Sequence, residues 1–326
     1  MIKMRKLVLL LLITLTTFSC NKDELKEEPT ACDGGEFVGD VTLTTQEEIN
    51  VFGKDCNTKI TGDLIIKELE AGNIVDLKPL KAITKVGGKL EVVNNENLVN
   101  LEGLNNITSI ATDLRIDNNK MLVNIDVLNN LETVNDLFIN NNKELAKIEM
   151  LNGLTSVNTI SIAINIKLTS IHLNTITSIG ENLSISNNVL LTEIEFKNLT
   201  LLTERMYVSK NQSLVNVGDF SRLSYIGKSL HIDNNGELKN IDGFVALTSI
   251  NQGLYILSNS NLLNVDGLEH LTSVGNMYIR NNDNLTDLCG LSPLIRTSGG
   301  LGGVYVMEFN GYNPNRDSII TENCRN

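Results

Sequence analysis

The strongest constraint on this chain is internal repetition. Apolar-x-apolar triplets begin at Leu64, Leu90, Leu114, Leu137, Ile160, Leu183, Met206, Leu230, Leu254, Met277 and Val304, nearly all 23 or 24 residues apart. Alternation within each triplet is the pattern of a strand whose first and third side chains share a face. Between triplets, apolar residues recur every third position, as in Leu98, Leu101, Leu104, Ile107 and Ile110, and again in Leu262, Val265, Leu268, Leu271 and Val274. A helix needs alternating steps of three and four to keep one face buried. A strict three-step fits extended segments and tight turns wrapped around a core. The chain therefore reads as an all-β solenoid of about eleven coils of 23–24 residues, each burying its apolar edge by stacking on the next. At the inter-strand spacing of about 4.8 Å the rod is about 50 Å long.

Asparagine marks the register. Of the 45 asparagines, nine stand five positions after successive strand starts: Asn95, Asn119, Asn142, Asn165, Asn188, Asn211, Asn235, Asn259 and Asn282. Asparagine tolerates the left-handed conformation of a sharp corner, and stacked amides bond from coil to coil. A structural ladder is therefore expected here rather than a binding stripe. The first and last coils break the rule with Leu69 and Phe309, as atypical capping repeats do. Before the first coil, Thr45 and Glu48 have capping-box spacing, which predicts a short helix with Ile49 and Phe52 over the end of the core. The non-repeating segment from Asn310 to Asn326 is expected to close the other end.

The N-terminus carries an address. Lys3, Arg5 and Lys6 precede the apolar run Leu7 to Phe18, followed by Ser19 and Cys20. That is a secretory leader, too short to span a bilayer. Thr17-Phe18-Ser19-Cys20 resembles a bacterial lipobox, with threonine where leucine is usual. The resemblance implies residues 1–19 as leader, Cys20 as the lipidated first residue and residues 20–38 as a tether. Asn21-Lys22-Asp23-Glu24 resembles the short signal that sends Bacteroidota lipoproteins to the outer face of the outer membrane, so the expected location is there, facing the exterior. Outside the cell disulfides are favoured. Proximity in sequence favours Cys32 with Cys56 and Cys289 with Cys324, while other pairings remain open.

The unit LxIxNNxxLxxLxGLxxLTSIG, seen best at Leu230 to Ile250 and Leu90 to Ile110, is similar to the repeats of receptor L domains. That resemblance implies a right-handed, leucine-rich β-helix over residues 39–326 and a binding role without naming a ligand.

A search for chemistry gives little. A net charge of −12 argues against nucleic acid, which is held by neutralising phosphates. Motifs for hydrolase, metalloprotease or phosphate-loop chemistry are missing, and neither an enzyme nor a cofactor is expected. Gly87-Gly88 and Gly302-Gly303 read as turn glycines. His172 and His270 read as solvated turn residues, with no metal site expected. Twelve positions after the strand starts stand Glu102, Asp126, Glu149, His172, Glu195, Gly218, Asp242 and Asp266. This column suits solubility, with calcium as a weaker alternative.

One outward column differs along its length. The centres of the triplets run Glu91, Arg115, Phe138, Ser161 and Ser184, then Tyr207, His231, Tyr255, Tyr278 and Tyr305. The next outward positions include Ser209, Asp233, Leu257, Arg280 and Met307. Tyrosine and arginine carry binding hot spots. Aromatic residues also pair across sheets whatever they bind, but a sheet-wide propensity would not choose one half. Tyr207, His231, Asp233, Tyr255, Tyr278, Arg280 and Tyr305 are therefore the expected face for a protein or glycan ligand. A purely structural envelope protein and a β-helix polysaccharide lyase are the alternatives.

Overall fold

The computed structural model describes residues 34–69, 73–149 and 151–326. The expected leader, Cys20, Cys32 and most of the tether lie outside the described residues. Glu36–Phe37, at the expected end of the tether, already pairs in parallel with Lys59–Ile60, so the fold begins slightly earlier than residue 39.

The chain forms a parallel β-solenoid of about 10 turns. Its main face stacks Val41–Leu43, Leu64–Lys67, Leu90–Val93, Asp113–Asp117, Asp136–Asn140, Thr159–Ala163, Leu183–Ser186, Arg205–Ser209, Ser229–Asp233, Ser249–Leu257, Ser273–Arg280 and Tyr305–Glu308, each strand beside the next. Burial alternates as the triplets require. Leu114 and Ile116 are fully buried while the intervening side chain is not, and the same holds for Leu137 and Ile139. The three-step residues turn inward as well: Leu98, Leu101, Leu104, Ile107 and Ile110 all lie within the core.

The asparagine ladder is present, with its geometry reassigned. The left-handed corner is taken by the residue before each ladder position: Asn94, Asn118, Asn141, Ile164, Asn187, Lys210, Asn234, Ser258, Asn281 and Phe309, all with φ of 54–60°. The ladder asparagines are buried and work as clamps. Asn188 donates from Nδ2 to the carbonyl of Ile162 at 2.9 Å, and its Oδ1 accepts the Asn165 N–H at 3.0 Å. From Asn119 onward each ladder asparagine thus satisfies two backbone groups of the preceding coil, groups that would be costly to bury unpaired, while Asn95 at the start bonds the Ile66 carbonyl alone among such groups. A second ladder lies in the Leu-Thr-Ser-Ile turn, where Thr248 and Thr272 donate Oγ1 to the carbonyls of Ser224 and Thr248 at 3.0 and 3.3 Å.

Both ends are covered. Thr45 Oγ1 accepts the Glu48 N–H at 3.2 Å and caps the helix Gln46–Lys54. Its Ile49 is fully buried, and Phe52 meets Phe37 edge to face at 5.5 Å. At the far end Cys289 and Cys324 form a disulfide, and the short helix Arg316–Ile320 buries Ile319. Cys56 is also disulfide-bonded, and Cys32, its expected partner, falls outside the described residues.

The last coil departs from the expected register by one residue. Tyr305, not Val304, pairs with Met277, so Met307 turns into the core and Glu308 stands beside Arg280. The shift brings Asn310 into the ladder, where its Oδ1 accepts the Asn282 N–H at 3.2 Å. Phe309 is therefore the left-handed corner and not a broken rung.

Candidate functional site

Parallel, in-register pairing sets Tyr207, His231, Tyr255 and Tyr278 side by side on the outward face. Their rings form one continuous stack. Centroids are 4.7, 4.3 and 5.1 Å apart, with interplanar angles of 25°, 7° and 3°. The repeat is that of the strands beneath, so the sheet itself brings the rings into van der Waals contact. The two central rings lean over the residue two places earlier in their strands. His231 Nε2 meets Ser229 Oγ at 3.0 Å, and Tyr255 lies over Gly253, where an added Cβ would come within 2.6 Å of the ring.

Tyr305 does not belong to this column. The one-residue shift turns it toward the C-terminal cap, where its hydroxyl donates to the Pro314 carbonyl at 2.6 Å. Burial pushes its pKa up to about 12. Val306 takes the outward place beside Tyr278, and the aromatic strip ends one coil early. The two alternating patterns Val304-x-Val306 and Tyr305-x-Met307 are equally strand-like, so local periodicity could not choose between them.

Beside the stack lies a shallow depression of about 380 Å³, lined among others by Asp233, Tyr255, Leu257, Tyr278 and Arg280. It unites four residues expected to act together. Arg280 Nη2 holds Glu308 Oε2 at 2.6 Å, an ion pair the sequence register had hidden. Burial lowers the pKa of His231 from 6.5, Asp233 opposes the shift and Arg205 adds to it. The ring is therefore favoured as neutral imidazole within the stack. The N-terminal half of the face has a different chemistry: Arg115 sits over Phe138 at 4.5 Å and lies 3.7 Å from Glu91.

The acidic column lines up at His172 and Glu195, but Glu195 stands opposite Asp219 and not the expected Gly218, and His172 is not the isolated turn residue expected. It ends the strand Ser170–His172, which pairs with Lys147–Ile148 on one side and Glu193–Glu195 on the other. Its Nε2 is 3.2 Å from Glu193 and 4.0 Å from Glu195, and its Nδ1 is 3.7 Å from Glu149. His270 remains exposed, 3.9 Å from Glu269. Elsewhere in the column Asp266 is pushed up by burial and by the charges of Asp287 and Asp242. Among the described residues no helix is long and apolar enough to cross a membrane. In comparisons with known proteins, the chain matches no family model and no curated protein.

Proposed function

We propose that this chain is a non-catalytic recognition module, a lipoprotein anchored through Cys20 in the outer membrane and presenting its solenoid to the cell exterior. The observation that carries the recognition role is the unbroken stack of Tyr207, His231, Tyr255 and Tyr278 beside a depression holding Asp233 and Arg280. Hot spots draw on these residue types, set centrally and rimmed by polar groups.

The geometry favours a protein ligand over a glycan. Sugars pack on open aromatic faces, but in this column the faces of His231 and Tyr255 are covered on both sides by neighbouring rings. What the stack offers outward is ring edges and hydroxyl groups, suited to polypeptide backbone and side chains. The resemblance to receptor L domains supports a binding role and is silent on the ligand class.

The test is a binding screen of the purified protein against panels of host-surface and bacterial-surface proteins and a glycan array. Protein hits that weaken in Tyr255→Ala/Tyr278→Ala support the reading. Hits confined to glycans would overturn the choice of ligand class. Substituting Cys20→Ala addresses the anchor separately: the protein should leave the membrane fraction, and continued co-fractionation contradicts lipidation.

A further inference from the structure

We propose that His172, Glu193 and Glu195 form a binding site for a divalent transition-metal ion, independent of the aromatic face. Among the described residues, this is the group of His, Cys, Asp and Glu side chains whose donor atoms all fall within 4.8 Å of one another. Parallel pairing places His172 directly opposite Glu195, and Glu193 lies two residues earlier on the same strand. The cluster is therefore held by the sheet and not by a loop.

The imidazole is arranged as a ligand. Its Nε2 is shielded from solvent and makes no hydrogen bond, although Glu193 Oε2 is only 3.2 Å away. On the other side of the ring, Glu149 Oε1 lies 3.7 Å from Nδ1 and is itself fixed by the Ser170 hydroxyl at 3.0 Å. With Nε2 on an ion, the Nδ1–H would face the Glu149 carboxylate, the arrangement that commonly orients metal-bound histidine. Glu195 is positioned in turn: Lys197 Nζ holds Oε1 at 2.5 Å and Asn174 Nδ2 donates to Oε2 at 2.8 Å.

The spacing fits. Ligands about 2.0–2.1 Å from a tetrahedral ion stand roughly 3.4 Å apart. The distances from Nε2 to the two carboxylates, 3.2 and 4.0 Å, bracket that value, and the Glu193 side chain is 54% exposed and free to adjust. One nitrogen and two carboxylate donors suit zinc and its neighbours, whereas calcium and magnesium take oxygen alone. Glu193 and Glu195 also line a depression of about 660 Å³ that continues past Gly218 to Asp219 and Asp242. On the next coil the residue opposite Glu195 is Asp219.

The experiment is calorimetric titration of ZnCl₂ into the purified protein, made without a histidine tag, near pH 7.5, where free imidazole is neutral. One saturable equivalent is expected, weakened at least about tenfold in His172→Ala and unchanged in His270→Ala. Glu193→Gln, a change at an exposed side chain, should also weaken it without altering the melting temperature of the metal-free protein. CaCl₂ should not compete. Absence of saturable binding, equal affinity in His172→Ala and Glu193→Gln, or preference for calcium would overturn the assignment.

Discussion

At each corner of the solenoid two adjacent residues do different work. The first adopts the left-handed conformation, and the second is buried and clamps the coil before it. Asn188 illustrates the second role. Replacing it with alanine strands the Ile162 carbonyl and the Asn165 N–H, both of which it serves. Asn188→Ala should destabilise the protein by about 1–3 kcal/mol, and an unchanged denaturation midpoint would contradict the clamp. Ile164 illustrates the first role. It is a β-branched residue held at φ 60°, a conformation costly for any side chain but glycine and asparagine. Ile164→Asn should therefore raise stability, by about 1 kcal/mol, read from the same denaturation curve. His231 links the residue scale to pH. Its folded pKa lies below 6.5 through burial, so the unfolded chain binds the proton more readily. Stability should then fall as pH drops through about 6.5 and level off below the folded pKa. In His231→Gln that component of the acid sensitivity should vanish, as measured by melting temperature against pH.

At the scale of elements, the coils are held by columns of like residues. Phe196, Phe220 and Phe244 occupy one inward column and stack at 5.5 and 5.3 Å within the core. Phe220 touches a ring on each side, so Phe220→Ala opens a cavity that neighbouring coils cannot readily fill. The expected cost is about 3–5 kcal/mol, and a loss below about 1 kcal/mol would show that the stack repacks. These columns also explain what the sequence made legible. Strand positions, inward residues and the N-terminal helix follow from local periodicity and capping chemistry, both visible in a single repeat. The left-handed corner was misplaced by one residue, because an Asn-Asn pair offers two candidates and only the backbone path separates them. The end of the aromatic strip was misplaced for a related reason: two overlapping alternations fit the last coil, and contacts with the C-terminal cap decide between them. The cluster around His172 was missed because Glu193 lies diagonally from it, in the adjacent column of Lys147, Ser170 and Glu193, which no shared residue type marks in the sequence.

At the scale of the molecule, a stack of similar coils transmits little of its own chemistry from one end to the other. Contacts run mainly between neighbours, so separate stretches of one surface can carry separate functions. The aromatic stack occupies coils from Tyr207 to Tyr278, while the N-terminal half of the same face carries Glu91, Arg115 and Phe138 in a charged arrangement. A rigid sheet holds the rings in place before any ligand arrives, which reduces the ordering cost of binding. The measurement that tests this account most directly is the affinity of a protein ligand, taken from the screen, for the wild type, Tyr255→Ala/Tyr278→Ala and Arg115→Ala. The account predicts a loss of at least about a hundredfold in the double variant, two hot-spot truncations together, with little change in Arg115→Ala and all three proteins folded. Equal affinity for the wild type and the double variant would contradict it.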